Sequence, residues 1–164
     1  MNPCKCWYFK DREKQCTCSI NEIKRYQSKI SWPLLDRFDM IIEVPRENID
    51  KLLEKTKWES SEKIKEKVIK AWQIQQKRFE GEKINTNSQM WARELDRYIK
   101  LDNEAENFIK NAAQKLTLSP RVIHRLLKLG RTIADMNDDK DIQTQHIAEA
   151  LQYRSKTMFV WEDL

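Results

Sequence analysis

Between Ser61 and Leu151 the apolar residues return every three or four positions in successive runs, and that period commits most of the chain to packed helices. A run beginning at Ser60 or Ser61 presents Ile64, Val68, Ala71, Trp72, Gln75 and Phe79 on one side. A second starts at Asp102 and carries Ala105, Phe108, Ile109, Ala112, Ala113 and Leu116. Ser119 is placed to cap a third, with Pro120 in its first turn and Val122, Leu126, Leu129 and Ile133 as its buried stripe. Thr144 opens the last, in which Ile147, Ala150 and Leu151 face inward, and a shorter helix is predicted from about Ser88 to Ile99. Helices that are apolar on one side bury that side against each other, so this region reads as an α-helical bundle.

The N-terminal third is patterned differently. Ser19 with Glu22 three residues later forms a capping box, and Ile20, Ile23 and Tyr26 follow on one side of a short helix. Pro33-Leu34-Leu35-Asp36-Arg37-Phe38-Asp39 reads as a short apolar turn that ends in an arginine. The run Met40-Ile41-Ile42-Glu43-Val44 reads as a buried strand, the last of a parallel sheet. From Pro45 to Ser60 a polar linker is expected, with a short helix near Ile49 to Lys55.

Four cysteines form a separate constellation, Cys4-x-Cys6 and Cys16-x-Cys18, with nine residues between the pairs. Paired thiols in an intracellular chain can supply a tetrahedral Zn²⁺ site and close a loop too polar to hold itself; the alternative is four reduced thiols. His124 and His146 stand alone on helices and read as packing or surface residues. No Ser-His-Asp or Cys-His arrangement suggests nucleophilic catalysis.

Charged residues make up 35% of the 164, and no apolar run approaches the roughly 20 residues that a bilayer crossing needs. No signal peptide is visible, so a cytoplasmic protein with no membrane partner is expected. The net charge of +5, from 31 basic and 26 acidic residues, is compatible with nucleic acid without pointing to it.

The Pro-Leu-Leu-Asp-Arg segment resembles the arginine-finger segment of the helix-insert branch of the AAA+ ATPases, which includes MCM helicases and magnesium-chelatase ATPase subunits. Met1-Asn2-Pro3-Cys4 resembles the end of a sensor 1 strand, and Leu118 to Arg125 with Arg131 to Asp135 resembles a sensor 2 helix. With Glu59-Ser60-Ser61, Arg93-Glu94-Leu95 and Ala148 to Arg154, the likeness to bacterial magnesium-chelatase-like proteins of the ComM type extends along nearly the whole chain. That family is similar to hexameric helicases that drive branch migration of DNA during recombination.

The resemblance implies a mainly α chain: the end of an AAA+ α/β core, with one strand and short helices, over 1–46, a linker over 47–60, and a helical lid over 61–164. It implies that Arg37 reaches the nucleotide of an adjacent subunit, that Asn2 places the attacking water, and that Arg121, with Arg125 one turn on, senses nucleotide at the lid. Arg121, Arg125 and Lys128 recur at i, i+4 and i+7 and share one face. ATP with Mg²⁺, a homo-oligomeric ring, hexameric in this family, and DNA are the implied cofactor and partners. No Gly-x-x-x-x-Gly-Lys-Ser/Thr loop and no strand ending in paired acids is present, so the chain is expected to be the C-terminal piece of a longer ATPase and inactive alone.

Two other readings stay open. One is a freestanding zinc-stabilised nucleic-acid-binding module, with Trp7, Tyr8 and Phe9 stacking on bases. The other is a chelatase subunit that inserts Mg²⁺ into a porphyrin, against which the cysteine loop and the Ser-Pro-Arg motif argue.

Glycine occurs twice and tryptophan six times, an inversion of ordinary usage. The family has glycine where this chain has Trp7, Trp32 and Trp58, positions that call for φ > 0 or close backbone approach. The hypothesis that accounts for this is a gene whose UGA codons are read as glycine.

Overall fold

The computed structural model describes residues 2–11, 13–35, 37–44 and 59–154, with the backbone alone at Trp32. The chain divides into two compact units, one of residues 1–57 with 153–164 and one of residues 58–152. The short helix expected at Ile49 to Lys55, most of the expected linker, and Trp58 lie outside the described residues.

In the first unit, helix α1 (Ile20–Gln27) begins at a capping box: the Ser19 hydroxyl accepts from the Glu22 N–H at 3.3 Å, and the Glu22 carboxylate accepts from the Ser19 N–H at 3.0 Å. The Ser19 N–H and then the Ser19 hydroxyl, which donates to the same carboxylate at 3.0 Å, hold the Glu22 carboxyl below its usual range. Ile23 and Gln27 are the buried residues of α1, while Ile20 is exposed and Tyr26 half-buried. Helix α2 (Trp32–Leu35) is a single turn started by the Leu34 and Leu35 amides, which both donate to the Ser31 carbonyl.

The expected strand at Met40 to Val44 does not form: no strand is present among the described residues, and Met40, Ile42 and Val44 are exposed. A parallel strand exists only as part of a ladder, and among the described residues no neighbouring strand pairs with this segment. The segment is held instead at single points, where the Ile41 N–H donates to the Tyr153 carbonyl at 2.7 Å and Arg154 Nη1 donates to the Phe38 carbonyl at 2.7 Å.

The second unit is a bundle of α3 (Ser61–Arg78), α4 (Ala92–Tyr98), α5 (Asn103–Lys115), α6 (Pro120–Met136) and α7 (Thr144–Gln152), with a 3₁₀ turn at Asn87–Gln89. Helix α6 is the hub, packed on α7, α3, α4 and the 3₁₀ turn. One buried cluster joins Ala105, Ile109, Ala134, Ile142 and Ile147, another joins Phe79, Met90 and Leu95, and Ile99 and Leu127 pack against both. Gly130 lets α6 and α7 approach closely, because a Cβ there would stand 2.9 Å from Ile147 Cδ1.

The single helix expected from Ser88 to Ile99 is broken in two. Met90, buried, is extended at φ −60°, ψ 134°, and α4 starts only at Ala92, where the Glu94 carboxylate accepts from the Trp91 N–H at 2.9 Å. The expected stripe of α3 is buried only in its second half, at Ala71, Gln75 and Phe79; Ile64, Val68 and Trp72 are exposed. Ser60, Asp102 and Ser119 cap α3, α5 and α6, their side chains accepting from the amides of Lys63, Ala105 and Val122. No helix among the described residues is long and apolar enough to cross a membrane.

Candidate functional site

The loop ahead of α1 brings the four cysteines together. Cys4 is fully buried, and its Sγ lies 3.3 Å from that of Cys6 and 3.7 Å from that of Cys16, with Cys6 and Cys16 3.4 Å apart. All four sulfurs, Cys18 included, fall within 4.8 Å of one another, and none is in a disulfide.

Two local features fold the loop this way. Trp7 takes a left-handed conformation, φ 75°, and its N–H donates to the Cys4 carbonyl at 3.2 Å, a tight turn that carries the chain back over Cys6. Gln27, buried on α1, donates from Nε2 to the Pro3 carbonyl at 3.0 Å and ties the start of the loop to the helix.

The backbone is turned toward the sulfurs. The Tyr8 and Thr17 amides donate to Cys6, and the first of these chiefly lowers its thiol to about 5. Burial pushes Cys16 up to about 12, against the pull of the Cys18 amide. Cys18 is also raised: the Cys6 amide acts to lower it, but burial and the neighbouring thiols outweigh that. Four sulfurs this close, with backbone amides turned toward them, make a donor set that suits a cation.

The arginines are placed differently. Arg37 is exposed two residues beyond the buried Leu35, and its own N–H donates to the Leu34 carbonyl at 2.9 Å. Asn2 is exposed, two residues ahead of the buried Cys4. Arg121 is exposed on the first turn of α6, in the other unit, and Arg125 is half-buried one turn further on. Lys128, the third member of the expected basic face, donates to the Ser88 carbonyl at 3.0 Å and so anchors the 3₁₀ turn. Of the aromatics offered for base stacking, Trp7 is exposed, whereas Tyr8 and Phe9 are half-buried and the Lys14 ammonium sits 4.3 Å from the Tyr8 ring centre.

A buried polar network was missed by the sequence reading. Asp135 accepts from both terminal nitrogens of Arg78, from Asn87 Nδ2 at 2.8 Å and from Arg131 Nε at 3.0 Å. Arg131 also donates to the Asp139 and Lys140 carbonyls, and the Asn87 N–H donates to Gln75 Oε1 at 2.9 Å. Burial lowers the Arg131 pKa, with Asp135 opposing the shift. The sequence signal was the i, i+4 pair Arg131 and Asp135 on the inward side of α6; Arg78, 57 residues away from Asp135, carried none. His146 is buried as well: its Nδ1 accepts from the Gln143 N–H at 3.0 Å, which leaves the proton on Nε2, 3.0 Å from Asp139.

The fold thus defines a class: a mainly helical protein with a cysteine-clustered unit carrying an exposed arginine, and a separate helical bundle. The chain belongs to the magnesium chelatase ChlI family, since residues 58–154 match "Magnesium chelatase, subunit ChlI C-terminal" and residues 1–52 match "Magnesium chelatase, subunit ChlI". It is 41% identical over 138 residues to Competence protein ComM of Haemophilus influenzae, covering 84% of this chain and 26% of that protein. It is 34% identical over 157 residues to the YifB protein of Escherichia coli, covering 94% of this chain and 30% of that one. The chain therefore spans between a quarter and a third of the length of these relatives.

Proposed function

We propose that the chain is the part of a ComM-type AAA+ ATPase that supplies the arginine finger and the nucleotide-sensing lid to a ring of identical subunits. The observation that carries the reading is Arg37: an exposed guanidinium on a turn anchored by the buried Leu35, within the region that matches the ChlI family. Arg37 acts on the γ-phosphate of ATP–Mg²⁺ held by the neighbouring subunit, where charge grows as the phosphoryl group leaves. Asn2 orients the attacking water. Arg121, with Arg125 behind it, reports the state of the nucleotide through α6, whose capped N-terminus adds its dipole to the side-chain charge. The phosphate loop and Mg²⁺-binding acids come from sequence outside these 164 residues. DNA is the substrate we favour over a porphyrin, because a 41% identical relative is named a competence protein. The ring is a hexamer, and its work is DNA branch migration in recombination.

The test joins this chain to the upstream region of a ComM-type relative. Arg37→Ala should abolish ATP hydrolysis, a loss of about 10³-fold or more, while leaving nucleotide affinity nearly intact. Mixing that variant with one lacking the phosphate loop should recover part of the activity, because one subunit supplies the pocket and the other the finger. Mixed rings that form and stay inactive would refute an arginine acting in trans.

A further inference from the structure

We propose that Cys4, Cys6, Cys16 and Cys18 hold one Zn²⁺ as a closed four-thiolate site, and that this ion is the staple that orders residues 2–28 and with them the exposed Asn2. The proposal stands apart from the ATPase reading; it needs neither nucleotide nor ring.

Four observations converge. First, the separations among the Cys4, Cys6 and Cys16 sulfurs, 3.3, 3.4 and 3.7 Å, are close to the edge of a zinc–thiolate tetrahedron, about 3.8 Å for a Zn–S bond of about 2.3 Å, and the Cys18 sulfur lies within 4.8 Å of each of them. Second, the backbone already supplies the outer shell: amides of Cys6, Tyr8, Thr17 and Cys18 are aimed at the sulfurs, the arrangement that orients thiolates and spreads their charge. Third, Cys4 is fully buried and none of the four cysteines is in a disulfide, although all four sulfurs fall within 4.8 Å of one another, so the loop closes on free sulfurs.

The fourth concerns stability. Cys4, Ile23 and Leu35 are the buried apolar residues among those described in this unit. Of these only Cys4 lies in the loop ahead of α1, so among the described residues that loop buries little apolar surface of its own, the situation in which small folds take up a structural metal. An all-sulfur tetrahedral donor set selects zinc or iron among common metals. Four protein ligands leave no open position on the ion, so its role is structural.

The test uses the full 164-residue chain. Protein purified from zinc-replete medium should contain one Zn²⁺ per chain, and Co²⁺ exchanged into it should show the charge-transfer and d–d bands of a tetrahedral four-thiolate site. Cys6→Ser and Cys18→Ser should each cut zinc content at least tenfold. Because those variants can misfold, a second measurement keeps the chain unaltered: removing zinc with a chelator should raise amide exchange across residues 2–28 at least tenfold, leave 59–152 unchanged, and reverse on adding Zn²⁺. Four freely titrating thiols with equal exchange in the presence and absence of Zn²⁺ overturn the proposal, as does iron in the purified protein or a cobalt spectrum with fewer than four thiolates.

Discussion

Asp135 is the residue on which the bundle most depends. Its side chain is fully buried and takes N–H groups from two arginines and an asparagine, so Asp135→Asn would leave both guanidinium groups without their counter-charge. The expected cost is about 3–5 kcal/mol, read as a lower urea midpoint with unchanged slope. Trp7 predicts a change of the opposite sign. Its left-handed backbone costs a non-glycine residue about 1–2 kcal/mol and its ring, 67% exposed, packs little; Trp7→Gly should therefore stabilise the cysteine loop by about 0.5–1 kcal/mol, measured as slower amide exchange in residues 2–28. The same observation bears on the gene. If UGA specifies glycine, tandem mass spectrometry of the peptide that contains position 7 in the native protein will find glycine there; UGG codons at all six tryptophans would end that hypothesis.

At the scale of elements, α6 and α7 are the tightest pair. Ile147 and Ile142 are fully buried beside Gly130, so Gly130→Val should lower stability by about 1–3 kcal/mol in chemical denaturation, with no compensating contact to gain. Much of this level was legible beforehand. Ser19 and Ser119 sit as N-caps where capping chemistry put them, since a cap is a local device: a side-chain oxygen and an amide three residues on; of the two starts open for α3, the cap is Ser60. Elements decided by distant partners were not legible. Residues 88–99 carry a helical pattern, but Asn87 is drawn into the Asp135 network and Met90 into the core, and the chain breaks between them and α4. Met40 to Val44 has the composition of a strand and, among the described residues, no ladder to join. The cysteine cluster could be read because its members are close in sequence, whereas the union of Arg78 with Asp135 bridges 57 residues that no spacing rule covers.

For the whole molecule, the division into two units predicts that a polypeptide starting at Trp58 folds by itself, since the core of Phe79, Leu95, Ile109, Leu126, Ile133 and Ile147 lies within residues 58–152. Cooperative thermal unfolding of that polypeptide is the expected result; a molten product would show that the division does not follow stability. The 164-residue chain alone should hydrolyse no ATP, because it contains no glycine-rich phosphate loop, and turnover that disappears with Arg37→Ala would overturn the proposed division of labour. The isolated bridge between Leu101 and Ile142 has a temporal consequence. It joins the segments that lead into α5 and α7, roughly forty residues apart, and closing so long a flexible loop is entropically unfavourable until the intervening helices have shortened it. Its hydrogen bonds, from Ile142 N–H to the Lys100 carbonyl and from Asp102 N–H to the Ile142 carbonyl, are therefore expected to form late, so that weakening the bridge with Ile142→Ala should speed unfolding in denaturant-jump kinetics while leaving the folding rate nearly unchanged.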